Sequence, residues 1–217
     1  MARGVKGAET RERVLEIAQG SVLAKGFAAT SIEEIIAEAG ITKSGFFYHF
    51  KDKNELAHEM LARYVEADAR LLDDIFRRAD ELADDPLQAF LVALKLLAEA
   101  MDDLEGGHPG CLVASVCYQE RLFDRKVIEM NRVAVANMNA VFRARLDAIV
   151  RLHAPREPVD IEALSEMICC AIDGAIIQAK VRNDNSVLSR QVLAYRAFIK
   201  ALFSPVGAAS LPLQRAA

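Results

Sequence analysis

The chain has 217 residues, 53% hydrophobic and 27% charged, with no Trp, 11 Gly, 6 Pro and a formal charge of −4. That composition describes a globular chain of one or two domains and excludes collagen-like, disordered and disulfide-framework classes. The acidic balance also argues against a general polyanion binder, so any nucleic-acid role must come from a local patch.

Helical periodicity dominates, and no run of alternating β-branched residues bounded by turn signals is present, so the expected class is all-α with about nine helices. Over 11–25, the apolar positions Val14, Leu15, Ala18, Val22 and Leu23 form one stripe, closed by Gly26. Ser31 followed by Glu34 reads as a capping box opening a second helix that ends before Gly40. Thr42 can cap a third helix ending near Phe50, and Asp52 with Glu55 repeats the box geometry ahead of a longer helix to about Ala83.

Asp84-Asp85-Pro86 starts a fifth helix over about 86–104. The run 106–110, Gly-Gly-His-Pro-Gly, is the strongest breaker in the chain. Helices are expected over about 111–123, 124–152, 160–181 and 187–203, and the tail from Ser204 lacks periodicity. The longest uncharged stretches, 106–119 and 201–214, are 14 residues each, short of the roughly 18 that point to a membrane helix. The first residues, MARGVKGAETRERV, lack the apolar core of a secretory signal, so a cytoplasmic location and no membrane partner are expected. Cys111, Cys117, Cys169 and Cys170 form no CxxC and have no His at ligand spacing, so reduced thiols, no metal and no cofactor are expected.

Two short helices joined by Glu38-Ala-Gly-Ile-Thr42 make a helix-turn-helix, whose second helix enters the major groove of DNA. Gly40 supplies the positive φ of the turn. The candidate recognition helix is Thr42-Lys-Ser-Gly-Phe-Phe-Tyr-His-Phe50. Phe46 and Phe50 share a face and should enter the core, while Phe47, Tyr48 and His49 fan outward. Gly45 weakens the helix, which makes sense if the backbone must approach DNA closely. Residues 1–53 hold 8 Lys/Arg and 7 Asp/Glu, against 19 and 24 in the remainder. Lys43, Lys51 and Lys53 crowd the stretch around this helix, which locates the basic patch.

These residues carry a resemblance. Residues 26–56, GFAATSIEEIIAEAGITKSGFFYHFKDKNEL, are similar to the DNA-binding segment of the TetR family (TetR/AcrR type) of bacterial transcriptional regulators. A Gly-Phe-x-x-Thr-Ser entry, an Ala-Gly turn, a short Thr-Lys recognition helix ending in His-Phe and a following Lys-x-Lys recur there at this spacing. The departure is Gly45-Phe46-Phe47, where the family commonly has a hydroxyl residue and then Leu/Ile-Tyr/Phe. The resemblance implies a helix-turn-helix domain over 1–55, a ligand-binding and dimerisation domain over 56–204 and a flexible tail over 205–217. It implies that Thr30 and Ser31 approach phosphates, that Thr42, Lys43, Ser44 and Gly45 approach base edges or backbone, that Phe47, Tyr48 and His49 line the groove, and that Lys53 anchors the fourth helix on phosphate.

The same resemblance implies a ligand-responsive regulator, usually a repressor, that binds a pseudo-palindromic double-stranded DNA operator as a homodimer and is released by a small-molecule inducer. Candidate ligand residues are Phe90, His108, Cys111, Tyr118 and Met138, which mix apolar and polar character near the middle helices. Cys111 follows the 106–110 break at a helix start, where the macrodipole can lower a thiol pKa, making it a candidate sensor. Wide apolar stripes with small residues make the last two helices the expected dimer bundle, with Leu164, Ile168, Ile172, Ile176, Tyr195, Phe198 and Ile199 at the interface. Two competing readings are a partner-binding module that has lost operator binding and an all-α enzyme. The four His residues stand without any nucleophile, base and orienter constellation, which places the enzyme last.

Overall fold

The computed structural model describes the backbone of residues 2–104 and 106–204, with side chains from residue 7 onward. The expected tail over 205–217 lies outside the described residues. Among these residues the fold is all-helical: α1 Ala2–Lys25, α2 Ile32–Ala39, α3 Lys43–His49, α4 Lys53–Leu82, α5 Pro86–Asp102, α6 Leu112–Tyr118, α7 Arg125–Val150, α8 Ile161–Arg182 and α9 Ser186–Phe203.

Local chemistry sets the boundaries. Ser31 Oγ accepts from Glu34 N at 3.2 Å, and Glu34 Oε2 accepts from Ser31 N at 3.2 Å, so the capping box closes. Gly40 ends α2 in the left-handed region at φ 63. Asp52 caps α4 through Glu55 N at 2.9 Å, but the Glu55 carboxylate reaches Lys51 N instead of completing a box on Asp52. Asp85, Asp124 and Asp160 cap α5, α7 and α8 in turn, each accepting first-turn N–H groups.

Two expectations shift. α1 starts at Ala2, nine residues before the expected helix start at Arg11. The sixth helix stops at Tyr118 and gives way to a 3-10 turn at Glu120–Leu122.

Two apolar cores divide the fold. One gathers Val14, Leu15 and Ala18 of α1, Ile35 of α2, Phe46 and Phe50 around α3, and Leu56 to Leu61 at the start of α4. Leu112 and Val116 of α6, with Phe123 and Val127, complete it. The other joins the second half of α4 to α5, α7, α8 and α9, with Phe76, Phe90 and Phe142 at its centre. A smaller cluster of Ala175, Ile176, Ala179, Val187 and Leu188 closes the α8–α9 turn. Burying one such phenylalanine contributes about 1.5–3 kcal/mol, so these rings fix how the helices stack.

Candidate nucleic-acid interface and ligand domain

α3 is a seven-residue helix held from below. Phe46 and Phe50 are fully buried, their rings 5.5 Å apart. The other face is open: Phe47 is exposed and Tyr48 is 83% exposed. Thr42 Oγ1 caps the helix by accepting from Gly45 N at 3.1 Å and lies 3.0 Å from Ser44 Oγ. A Cβ at Gly45 would come within 3.3 Å of that Thr42 oxygen, so the glycine serves the cap as well as any close approach from outside. Thr42, Lys43 and Ser44 are exposed and Gly45 and His49 are half-buried. Together they form one surface with Tyr48. The α1 extension, which the sequence did not announce, runs beside it: a Cβ on Gly7 would stand 4.0 Å from His49 Cε1.

Charge around this surface is partly committed. Lys43 faces Glu33 at 3.6 Å with both side chains exposed, a pair worth little in water. Lys25 binds Glu34 at 2.8 Å, and that ammonium, followed by the Ser31 hydrogen bonds, holds the Glu34 carboxyl down at about 2. Lys51 is exposed and takes no ion pair among the described residues. Lys53 turns inward: its Nζ donates to Phe27 O at 2.7 Å and lies 4.2 Å from the Phe27 ring centroid, and burial lowers its pKa.

One expected contact is corrected. Thr30 is only 2% exposed; its hydroxyl donates to Gly26 O at 3.0 Å and sits 3.1 Å from Ser21 Oγ. It therefore closes the α1–α2 turn from inside and cannot present its hydroxyl to a phosphate. Ser31 differs, because its oxygen accepts within the capping box while its own O–H remains free to donate.

In the larger helical body, the five expected ligand residues are not brought together. Phe90 sits in the aromatic core between Phe76 and Phe142, whereas Tyr118 is 80% exposed. Met138 packs at the edge of the second core. His108 Nδ1 accepts from Gly110 N at 3.2 Å, and burial, then Lys180, lowers its pKa. The lowered thiol pKa expected at Cys111 is not found: the thiol caps α6 by accepting from Ala114 N at 3.3 Å, and burial pushes it up to about 11. Desolvation outweighs whatever a short helix start contributes.

The expected dimer residues need the same correction. Leu164, Ile168, Ile176, Tyr195 and Ile199 are buried within this chain's own core, and Ile172 packs against it. Tyr195 OH even donates to Leu164 O at 2.9 Å. Phe198, at 44% exposure, is the one member of that set on the open side. The apolar residues that α8 and α9 do expose are Met167, Ile177, Val181, Leu193 and Phe198.

Three features stood outside the sequence expectations. An open groove of about 630 Å³ runs between α7 and α8, lined by Cys117, Asn131, Val135, Ala136, Asn139, Ala140 and Glu166 among others. Separately, Cys111, Tyr64 and Asp68 of α4 and Asp173 of α8 form a polar patch, in which burial pushes Asp68 up to about 6 and raises Tyr64 above its ordinary value. The third is a bridge between α6 and the α1–α2 turn: Gln119 Oε1 accepts from Ala28 N at 3.2 Å, and the Phe27 and Phe123 rings lie 4.3 Å apart. No group of three or more His, Cys, Asp or Glu suited to a metal occurs among the described residues. No helix among them is long and apolar enough to cross a membrane.

Residues 20–60 match the family model described as bacterial regulatory proteins, tetR family. The chain is similar to the HTH-type transcriptional regulator AcrR of Shigella flexneri, with 39% identity over 62 residues, covering 28% of this chain and 29% of that protein. It is also similar to the uncharacterized HTH-type regulator YerO of Bacillus subtilis, with 40% identity over 57 residues, covering 26% of this chain and 20% of that protein. These matches span well under half the length of either relative. A longer one, to the probable HTH-type regulator ArpR of Pseudomonas putida, has 26% identity over 180 residues and covers 77% of this chain and 79% of that protein. Among solved structures, a TetR-family regulator from Agrobacterium tumefaciens superposes with a TM-score of 0.74 at 16% identity, covering 91% of this chain and 100% of that one. A TetR regulator from Chloroflexus aurantiacus does so with a TM-score of 0.73 at 21% identity, covering 91% and 98%. The structural likeness concerns the fold. The motif and the relatives named as transcriptional regulators agree with that match, which shows a tetR-family DNA-binding segment at residues 20–60 of this chain.

Proposed function

We propose that the protein is a cytoplasmic, ligand-responsive transcriptional regulator, acting as a repressor, that binds a pseudo-palindromic operator as a homodimer. The observation that carries the reading is α3, a short helix anchored by two buried phenylalanines that turns Tyr48 and a hydroxyl-rich N-terminus to solvent. Residues 1–55 form the DNA-reading unit and residues 56–204 the ligand and dimer unit. Ser31, Thr42, Lys43, Ser44, Gly45, Phe47, Tyr48 and His49 are the proposed DNA contacts. Lys51 joins them as an exposed cation. Lys53 acts on the turn through Phe27 and keeps spare donor capacity for a phosphate. Dimerisation uses the exposed apolar side of α8 and α9, which would set two α3 helices about 34 Å apart on one face of DNA.

For an inducer to act, it must bind the DNA-incompetent arrangement more tightly, and operator and inducer then weaken each other reciprocally. The Gln119 and Phe123 contacts with the α1–α2 turn support a route for that coupling, because α6 touches both units.

The test is selection of bound DNA from a random pool, followed by fluorescence anisotropy on the recovered sequence. Tyr48→Ala should weaken binding at least about tenfold, while leaving helicity unchanged, since one good groove contact contributes about 1–3 kcal/mol. Failure of the wild-type protein to enrich any sequence at low salt would overturn the reading in favour of a partner-binding module.

A further inference from the structure

We propose that Phe47 selects thymine in each operator half-site, by packing its ring against the C5-methyl group that thymine alone among the four bases presents in the major groove, a proposal that rests on the operator-binding reading above and deepens it. Arg, Asn and Gln are the side chains that most often grip guanine or adenine with two hydrogen bonds. Residues 26–53, which hold the α1–α2 turn, α2 and α3, contain none of the three. Arg11 of α1 is turned to Glu59 at 2.5 Å and lies 5.3 Å from the centroid of the Phe50 ring.

Tyr48 stands at the apex of α3. Successive side chains are about 100° apart on a helix, so Phe47 and His49 take opposite flanks of that apex. His49 has the flank towards α1, its Cε1 4.0 Å from where a Cβ on Gly7 would stand, which leaves Phe47 the flank away from α1. The Phe47 ring meets the buried Phe46 ring edge-on, at 5.4 Å between centroids and 90° between planes, and this contact sets its direction. Even so, Phe47 remains 44% exposed.

The polar groups around it discriminate less between bases. Thr42 Oγ1 is tied into the cap of α3 and lies 3.0 Å from Ser44 Oγ. Lys43 faces Glu33 at 3.6 Å and Lys53 is turned to Phe27. A lysine ammonium is a compact charge without the planar fork of a guanidinium, and phosphate suits it as well as guanine does. Tyr48 and His49 carry polar tips that phosphate and sugar oxygens satisfy without reading sequence. Phe47 has no polar atom, and the base-specific apolar group of the major groove is the thymine methyl.

The test takes the full-length protein and the sequence recovered from the random pool, and replaces each thymine in turn by deoxyuridine, which removes the C5-methyl and keeps every hydrogen-bonding group. Affinity is read by fluorescence anisotropy at one fixed salt concentration. In at least one position of each half-site the change should weaken wild-type binding about fourfold, the scale of one buried methyl group. Changing both half-sites should weaken it about fifteenfold, since well-separated positions add. Phe47→Ala should bind the thymine and deoxyuridine operators equally, and Phe47→Leu, which keeps an apolar group against Phe46 with a shorter reach, should discriminate less than the wild type. Tyr48→Ala should weaken both operators alike and keep their ratio. Affinity that ignores deoxyuridine at every position, discrimination that survives in full in both Phe47 variants, or a recovered half-site without thymine would overturn the proposal and leave the operator-binding reading standing. A wild-type protein that enriches no sequence rejects both.

Discussion

The Lys53 ammonium donates to the carbonyl oxygen of Phe27 at 2.7 Å and stands 4.2 Å from the centroid of the same residue's ring. One cation at the start of α4 therefore holds both the backbone and the side chain of the α1–α2 turn. Lys53→Met keeps much of the apolar stem and removes the charge. It should cost about 1–2 kcal/mol of stability, from one charge-assisted hydrogen bond and one cation–π contact, measured by urea unfolding. A change below a few tenths of a kcal/mol would show the contact to be dispensable.

Gly26 and Gln119 form a second paired test. Gly26 has φ +84, and a Cβ there would stand 2.6 Å from Gln119 Nε2. Gly26→Ala should destabilise by about 1–3 kcal/mol through backbone strain and the clash. Adding Gln119→Ala removes the clash but leaves the strain, so the double variant should recover part of the loss. Strict additivity of the two changes would contradict this contact.

For Asp68, burial raises the carboxyl from an ordinary value of 3.8 to about 6. The folded protein disfavours its ionised form, so the penalty is absent below the unfolded value, grows across the interval between the two and is complete above about 6. Stability from this group falls as pH rises through that window. Asp68→Asn should stabilise the protein at pH 7 by about 1 kcal/mol, a figure reduced from the full shift because the side chain keeps some contact with solvent, and should do little near pH 4. Thermal unfolding at both pH values checks the sign.

Phe198 lies on the open side of α9. Phe198→Glu should leave the monomer folded and move a dimer towards monomer in sedimentation equilibrium, with loss of operator affinity in step, because a two-fold interface places the new charge opposite its own copy. An unchanged association state would move the interface away from this face.

The sequence carried the helices among the described residues where a start or stop has chemistry behind it, such as Ser31 with Glu34, Gly40, Asp52 and Pro86. It carried the inward turn of Phe46 and Phe50 because they are four residues apart on one helix. Other features depend on what stands opposite. Thr30 and Ser31 are adjacent hydroxyls, and only the packing of Ser21 and Gly26 decides that Thr30 faces in. The stripes of α8 and α9 are apolar on both flanks, so their pattern cannot say which flank meets this chain and which stays open. Cys111 begins a helix, as expected, but the neighbours that desolvate it lie far along the chain. Asn131 looks like an ordinary polar helix position until Val113 and Cys117 fix its amide and leave its oxygen buried without a donor.

The 30-residue α4 begins in the core beneath α3 and ends in the core around Phe76 and Phe90. At 1.5 Å per residue it is a stiff rod about 45 Å long. A tilt of about 5° pivoting at one end sweeps the other through about 4 Å, more than a hydrogen-bond length. In the proposed dimer two such rods are related by the two-fold axis and their displacements add, so repacking that alters no side chain at the proposed DNA surface by itself would put the two α3 helices out of step with the helical repeat of their target.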